Sequence, residues 1–417
     1  MWSISFGSLR RAGPRTAPIP TKRNPEATLI MKTHSGLQDL SLLGGPLHRL
    51  GCRLHLVHGR SNTTALGVAL GLLLWGILMA LAFIEGMDYW MSSPLVVGVH
   101  VRLLVAIPLL FVCESLFDPC VTSFVRSLTR SGLVPTNSLQ EFEGKISQLT
   151  RWKDAWLPEV ICALLAAILW WYGTQLTRFG TTADYMTGRP ATGATMTGQW
   201  YWTVCLTVFR FLILRWVWRL ALWWYFLATL SLLPLRLIPV HPDGAAGLGY
   251  LGVVHAHFAP LVLAISASQT ASFVEGFSAG TMPITAIYPA VSVTLLVDAL
   301  LFVVPLLVFS PKLWACRLKG LDDYMRLAAR YANLFDKKWA GTRVAADDQL
   351  LATPDFGTLV ALRLVVAAAG DVRWIPASPR LLAQLTLAAL LPMAPLLLLK
   401  YPVAELLQKF IERLSGI

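Results

Sequence analysis

Residues 200–252 read WYWTVCLTVFRFLILRWVWRLALWWYFLATLSLLPLRLIPVHPDGAAGLGYLG. A long apolar run carries Arg210, Arg215 and Arg219, stops at Pro234 and Pro239, and opens into a turn holding Gly244, Gly247, Gly249 and Gly252. About 20 apolar residues cross a bilayer as a helix. A stretch this apolar and this long therefore predicts a membrane span. Its arginines then become the costly groups to explain, because a charged side chain at mid-membrane needs a partner or water.

The composition extends that reading to the whole chain. Of 417 residues, 55% are hydrophobic and only 14% charged, with a mean hydropathy of +0.59; a soluble domain carries about 25% charged residues. The 16 tryptophans suit membrane–water interfaces. The net charge of +12 is read as basic loops on one side of a membrane. Nucleic acid is not expected as a partner, since no basic run is interleaved with stacking aromatics outside the apolar segments. Cys52, Cys113, Cys120, Cys162, Cys205 and Cys316 form no C-x-x-C pair, so they predict neither a disulfide framework nor a zinc site.

Seven apolar segments follow a basic N-terminal region: 63–84, 95–115, 156–173, 200–234, 253–273, 286–310 and 381–399. The fold class expected is all-α: a polytopic membrane protein of about seven transmembrane helices. Four regions are expected. Residues 1–60 form a basic, largely disordered cytoplasmic segment and 61–310 a six-helix membrane domain. Residues 311–380 form a cytoplasmic amphipathic segment lying along the membrane or against the span ends, and 381–417 a seventh spanning or re-entrant helix with a tail. Residues 116–155 read as a polar connection. With the N-terminus inside, the inner segments through 380 hold 26 Lys or Arg and the outer loops hold 2. That bias predicts a cytoplasmic N-terminus.

Several pieces resemble a family of uncharacterised multi-pass inner-membrane proteins of bacteria. They are Arg102-Leu-Leu-Val-Ala-Ile-Pro-Leu-Leu with Glu114 after it, Arg126 through Ser131-Gly-Leu-Val-Pro135, the arginine helix running into His241-Pro-Asp-Gly-Ala-Ala-Gly-Leu-Gly-Tyr-Leu, Tyr331 to Trp339, and Leu391-Pro-Met-Ala-Pro-Leu followed by Glu405-Leu-Leu. The chain departs from the pattern at Ala246, where a glycine is usual, and over 354–373, where a more acidic sequence is usual. The resemblance implies fold, topology and a bacterial inner-membrane location, and it implies no activity.

Four sets of residues could carry chemistry. At 1.5 Å per residue from Trp200, Arg210 lies about 15 Å deep, Arg215 about 22 Å and Arg219 about 28 Å. Asp298 sits near the middle of the sixth segment, so Arg210 and Asp298 are expected to form an ion pair. Glu114 and Glu159 reach a common depth, as a proton relay or as carboxylates paired with loop cations. His241, Asp243, Gly244, Gly247 and Gly249, at a helix start, suit an anion such as phosphate or carboxylate, because glycines let N–H groups approach it. The bland alternative is that small residues pack helices closely while Asp243 caps the next one. His255 and His257 stand in a His-x-His pattern that splits two rings between faces, so no metal is expected.

Together these observations predict binding or passage of a small anionic solute, with Arg210, Arg215, Arg219 and the His241–Gly249 turn as the site. The alternatives are an embedded enzyme or assembly factor acting on a lipid or envelope precursor, and a non-catalytic scaffold. A sealed polar cavity between the fourth, fifth and sixth spans favours passage, whereas an apolar groove beside the turn favours a lipid. No catalytic motif is found and no cofactor is expected. The expected partners are the bilayer and a small anion or lipid head group, with homo-oligomerisation left open.

Overall fold

The computed structural model describes residues 44, 51–53, 63–86, 96–178, 195–280, 283, 285, 287–339 and 355–396. The expectation of a disordered N-terminus and the C-terminal tail lie almost wholly outside them. The described residues form helices and no strand. We number these α1 (Thr64–Ile84), α2 (Val97–Arg130), α3 (Thr136–Asp154) and α4 (Leu157–Arg178). The arginine helix α5 is built of Met196–Trp200, a π-helical stretch Tyr201–Cys205 and Leu206–Leu232. Next come α6 (Tyr250–Ser278), α7 (Ile287–Asp298 with its continuation to Phe309), α8 (Ser310–Trp339), α9 (Asp355–Gly370) and α10 (Pro379–Leu396).

Five helices are long and apolar enough to cross a membrane: α1, α2, α6, the continuous α7–α8 and α10. The pair α3 and Leu157–Tyr172, bent by 43°, makes a sixth if it counts as one span. The arginines of α5 keep it out of that set, yet it runs through the same bundle. Each of the seven expected segments is thus helical over nearly all of its described residues, in an all-α membrane protein.

One boundary differs from expectation. Residues 116–130 are not a polar connection but the second half of α2, which has 34 residues. Its apolar face there is buried, and Asp118, 6% accessible, is covered with Phe117, Val121 and Phe124, whereas Ser123 and Arg130 stay exposed. Tertiary packing overrode the polar composition.

Small residues set the first helix pair. Gly67 and Gly71, four apart on one face of α1, bring it against α2. A Cβ at Gly71 would lie 2.3 Å from Leu103 O and one at Gly67 would lie 2.6 Å from Phe111 Cβ. Further in, an aromatic cluster ties α2, α5, α6 and α7 together. Phe117 packs 4.5 Å from Phe258 and 5.4 Å from Trp223, and Phe258 packs 5.1 Å from Phe302, centroid to centroid. Helix α3 buries Phe142, Ile146 and Leu149, a 3–4 spacing, and lays Phe142 against Phe226 of α5. Beyond the bundle α8 and α9 pair with each other, Phe335 meeting Phe356 edge-on at 4.9 Å.

Candidate functional site

Two of the three arginines on α5 are neutralised inside the protein. Arg215 and Arg219, four residues apart, share a face, and both reach Glu114 on α2. Arg219 Nη2 donates to Glu114 Oε1 at 2.6 Å and Arg215 Nη1 to Glu114 Oε2 at 3.3 Å. Arg215 Nε also donates to Glu159 Oε1 on α4 at 3.3 Å, and its Nη2 to Gly44 O at 3.3 Å. Relative exposure is 3% for Glu114, 4% for Arg215 and 7% for Arg219. The two carboxylates read as a relay are therefore brought together by arginine, which holds both in ion pairs. The cluster locks α2, α4 and α5.

The expected ion pair between Arg210 and Asp298 does not form, and the register explains why. Trp224 Nε1 donates to Leu301 O, and Lys312 Nζ donates to Leu233 O. These contacts set α5 beside α7 at an offset of 77 to 79 residues, both helices running the same way. Asp298 is then level with about residue 220, roughly 15 Å further along than Arg210. Depth counted from sequence gave the wrong level because α5 extends beyond one membrane thickness. Arg210 instead sits within the electrostatic reach of Tyr201 and Arg102, near the other end of the bundle. Asp298 is 8% exposed, and its Oδ2 has no hydrogen-bond partner among the described residues.

The glycine-rich turn does cradle an anion, and the anion is its own Asp243. Asp243 Oδ1 accepts from Ala245 N at 2.9 Å, Oδ2 from Gly249 N at 2.7 Å, and both oxygens from Gly247 N at 3.1 Å. His241 Nδ1 lies 2.9 Å from Oδ1. Burial alone would raise this carboxyl, but the three N–H donors and His241 hold it below the usual aspartate range. The wrap requires left-handed backbone at Gly244 (φ 61°), Ala246 (φ 54°) and Gly247 (φ 100°). Gly249 is required for space, since a Cβ there would lie 2.7 to 3.0 Å from the Asp243 side chain. The turn opens α6, with Gly249 as its cap residue. Arg373 fastens the outside: its backbone N donates to Gly244 O at 2.9 Å and its guanidinium to the carbonyls of Asp243, Gly244 and Ala377.

Two cavities lie near these residues. The one between α5, α6 and α7, about 150 Å³, is lined by Ile213, Trp216, Val217, Leu220, Ala221, Trp224, Leu261, Ile265 and Leu301. Every one of these side chains is apolar but for two indole N–H groups, and one of those is bonded to Leu301 O. A much larger groove of about 770 Å³ opens beside the turn, between the strap 234–239 and the start of α8. Pro234, Leu235, Leu237, Pro239, Ala315 and Cys316 form an apolar floor and wall, while Arg236, Lys312 and Lys319 face Asp323 around it. The groove residues did not stand out in sequence. Their signal is the spacing of Lys312 and Lys319, seven residues or about two turns apart on one face of an amphipathic helix.

At the opposite end Arg102 makes a second lock. It reaches Tyr201 OH, Ser272 Oγ at 2.7 Å and Glu275 Oε2 at 3.5 Å, while Glu275 Oε1 accepts Gly98 N at 2.8 Å in the first turn of α2. Arg102 and Tyr201 both lie in π-helical stretches. Among the described residues no group of three or more His, Cys, Asp or Glu is placed to hold a metal ion. No family model, curated protein or solved structure matches the chain.

Proposed function

We propose that this integral membrane protein binds an anionic amphiphile, a lipid carrying a phosphate or carboxylate head group, in the groove beside the His241–Gly249 turn. The observation that carries this is the pairing of an apolar lining with Arg236, Lys312 and Lys319 in one open groove. An acyl tail suits the floor and the head group suits the cations. The intramembrane charges favour it too. Arg215 and Arg219 are held by Glu114, the turn is filled by Asp243, and the space between α5, α6 and α7 is apolar. None of them offers a path to a free anion. In this reading the groove end faces the cytoplasm of a bacterial cell, the side to which the basic segments assign it.

The test uses full-length protein in nanodiscs with a photoactivatable anionic phospholipid. Crosslinks concentrate on 234–239 and 312–324. Lys312→Gln with Lys319→Gln weakens labelling by roughly 10-fold or more, at about 1 kcal/mol per cation near an anionic surface. Labelling that is uniform along the lipid-facing helices, or indifferent to the two lysines, overturns the proposal. An anion flux in reconstituted vesicles that is lost in Arg210→Ala restores the passage reading instead.

A further inference from the structure

We propose that Cys120 and His257 form a base-assisted thiol that accepts an acyl group from a membrane-borne acyl thioester. His257 stands at the break in α6, where Tyr250–Ala256 gives way to Ala259–Ser278. Its Nδ1 lies 2.8 Å from Val253 O. A carbonyl oxygen only accepts, so Nδ1 carries the hydrogen and the lone pair is on Nε2. That nitrogen faces Cys120 Sγ on α2 at 3.4 Å, with the thiol as donor. A nucleophile, a base within reach and a third group fixing the base's tautomer are the three parts an activated thiol needs.

The neighbouring histidine shows that the arrangement is particular to His257. His255 makes the same contact to its own helix, Nδ1 to Leu251 O at 3.0 Å, but its Nε2 accepts from Trp223 Nε1 and the residue is 1% exposed. Cys113, whose thiol donates to His257 O, is fully buried. Cys120 and His257 are only partly covered. About one turn before each on their own helices, Leu116 is 44% and Val253 47% exposed, so the pair has an apolar flank, with the exposed Ser123 on the other side of Cys120. This suits a long acyl chain and not a small soluble electrophile.

In the reaction the sulfur of Cys120 bonds to the acyl carbonyl carbon while its proton passes to His257 Nε2. The carbon–sulfur bond of the donor then breaks, and the imidazolium returns the proton to the departing thiolate. Cys120 ends as an S-acyl thioester and the donor as a free thiol. One thioester replaces another, nothing is oxidised or reduced, and the exchange is close to balanced.

The experiment incubates full-length protein in nanodiscs with an alkyne-tagged long-chain acyl-coenzyme A, followed by click detection, hydroxylamine treatment and peptide mapping. The expected label is released by hydroxylamine, maps to Cys120 and is absent from Cys120→Ser. It forms at least 10-fold more slowly in His257→Gln, the low side of what general base catalysis supplies. The His257→Gln deficit narrows at high pH, where hydroxide rather than a side chain removes the thiol proton. Acetyl-coenzyme A labels far more slowly than the long-chain donor. Absence of label, label on another cysteine, or equal rates in wild type and His257→Gln overturns the proposal. Equal rates for both donors overturns the apolar approach. Size-exclusion profiles of both variants, together with Cys120→Ala, separate loss of reaction from loss of fold.

Discussion

Glu114→Gln removes the one carboxylate that both Arg215 and Arg219 contact. It leaves two guanidinium groups near Glu159, whose Oε1 accepts from Arg215 Nε at 3.3 Å. All three members of the central cluster are more than nine-tenths buried, so solvent screens the loss very little. Removing one partner of a buried ion pair costs about 3–5 kcal/mol. The remaining Arg215–Glu159 pair puts Glu114→Gln near the low end, about 3 kcal/mol, a shift of roughly 100-fold in the folded-to-unfolded ratio. Trp216 and Trp223 lie on the same helix and report unfolding in detergent or nanodiscs by fluorescence. Arg210→Ala is the control. Among the described residues Arg210 forms no ion pair, and it is only partly covered, so the change costs less than about 1 kcal/mol. A double variant, Glu114→Gln with Arg219→Gln, recovers part of the loss because the orphaned cation is gone. The reasoning fails if Glu114→Gln unfolds within 0.5 kcal/mol of wild type, or if Arg210→Ala is as damaging.

Asp243 makes a pH prediction with a definite sign. Its folded pKa is depressed, so its contribution is fully present above the unfolded value, roughly 4, and is lost as pH falls through the folded value. The protection factors of the Ala245, Gly247 and Gly249 amides, measured against intrinsic exchange at each pH, are therefore constant from neutral pH to about 5 and fall below it; in Asp243→Asn those amides are weakly protected at every pH. The turn's glycines predict an ordering. Gly247→Ala, with φ 100° and Leu133 Cδ2 2.7 Å from the new Cβ, costs about 1–3 kcal/mol, whereas Ala246→Gly is near neutral in thermal unfolding because relief of φ 54° offsets the lost methyl. Gly71→Ala drives a methyl into Leu103 O, so it lowers the midpoint more than Gly76→Ala, whose Cβ meets nothing within 4 Å.

The bundle was legible because hydrophobic runs and their lengths are one-dimensional quantities. So was the shared depth of Glu114 and Glu159, and the shared face of Arg215 and Arg219. What a single chain does not carry is the sliding of one helix along another. Trp224 meeting Leu301 is the fact that separates Arg210 from Asp298, and neither residue announces it. The second half of α2 was missed for a related reason. Asp118 and Thr122 look solvated until α5 and α6 cover them, after which Thr122 Oγ1 donates back to Asp118 O at 3.1 Å.

The His241–Gly249 turn shows how far a motif carries and where it stops. Glycines near a helix start predict that backbone N–H groups converge on negative charge, and here they do. Whether that charge is a ligand depends on what the segment itself supplies. Asp243 stands two residues before Ala245 and six before Gly249, and its short side chain reaches both N–H groups without leaving the turn. A bound phosphate would have to displace a carboxylate that already has three N–H donors and a histidine. The same geometry gives the turn a different use. With its anion built in, it is a rigid corner that orients α6 and, through Arg373, fixes the chain leading to α10. The strap 234–239 enters this corner from α5 and α8 passes beside it, Gly320 lying against Pro239. The groove with Arg236, Lys312 and Lys319 is thus flanked by a self-satisfied turn, which leaves these cations outside the glycine loop and next to it.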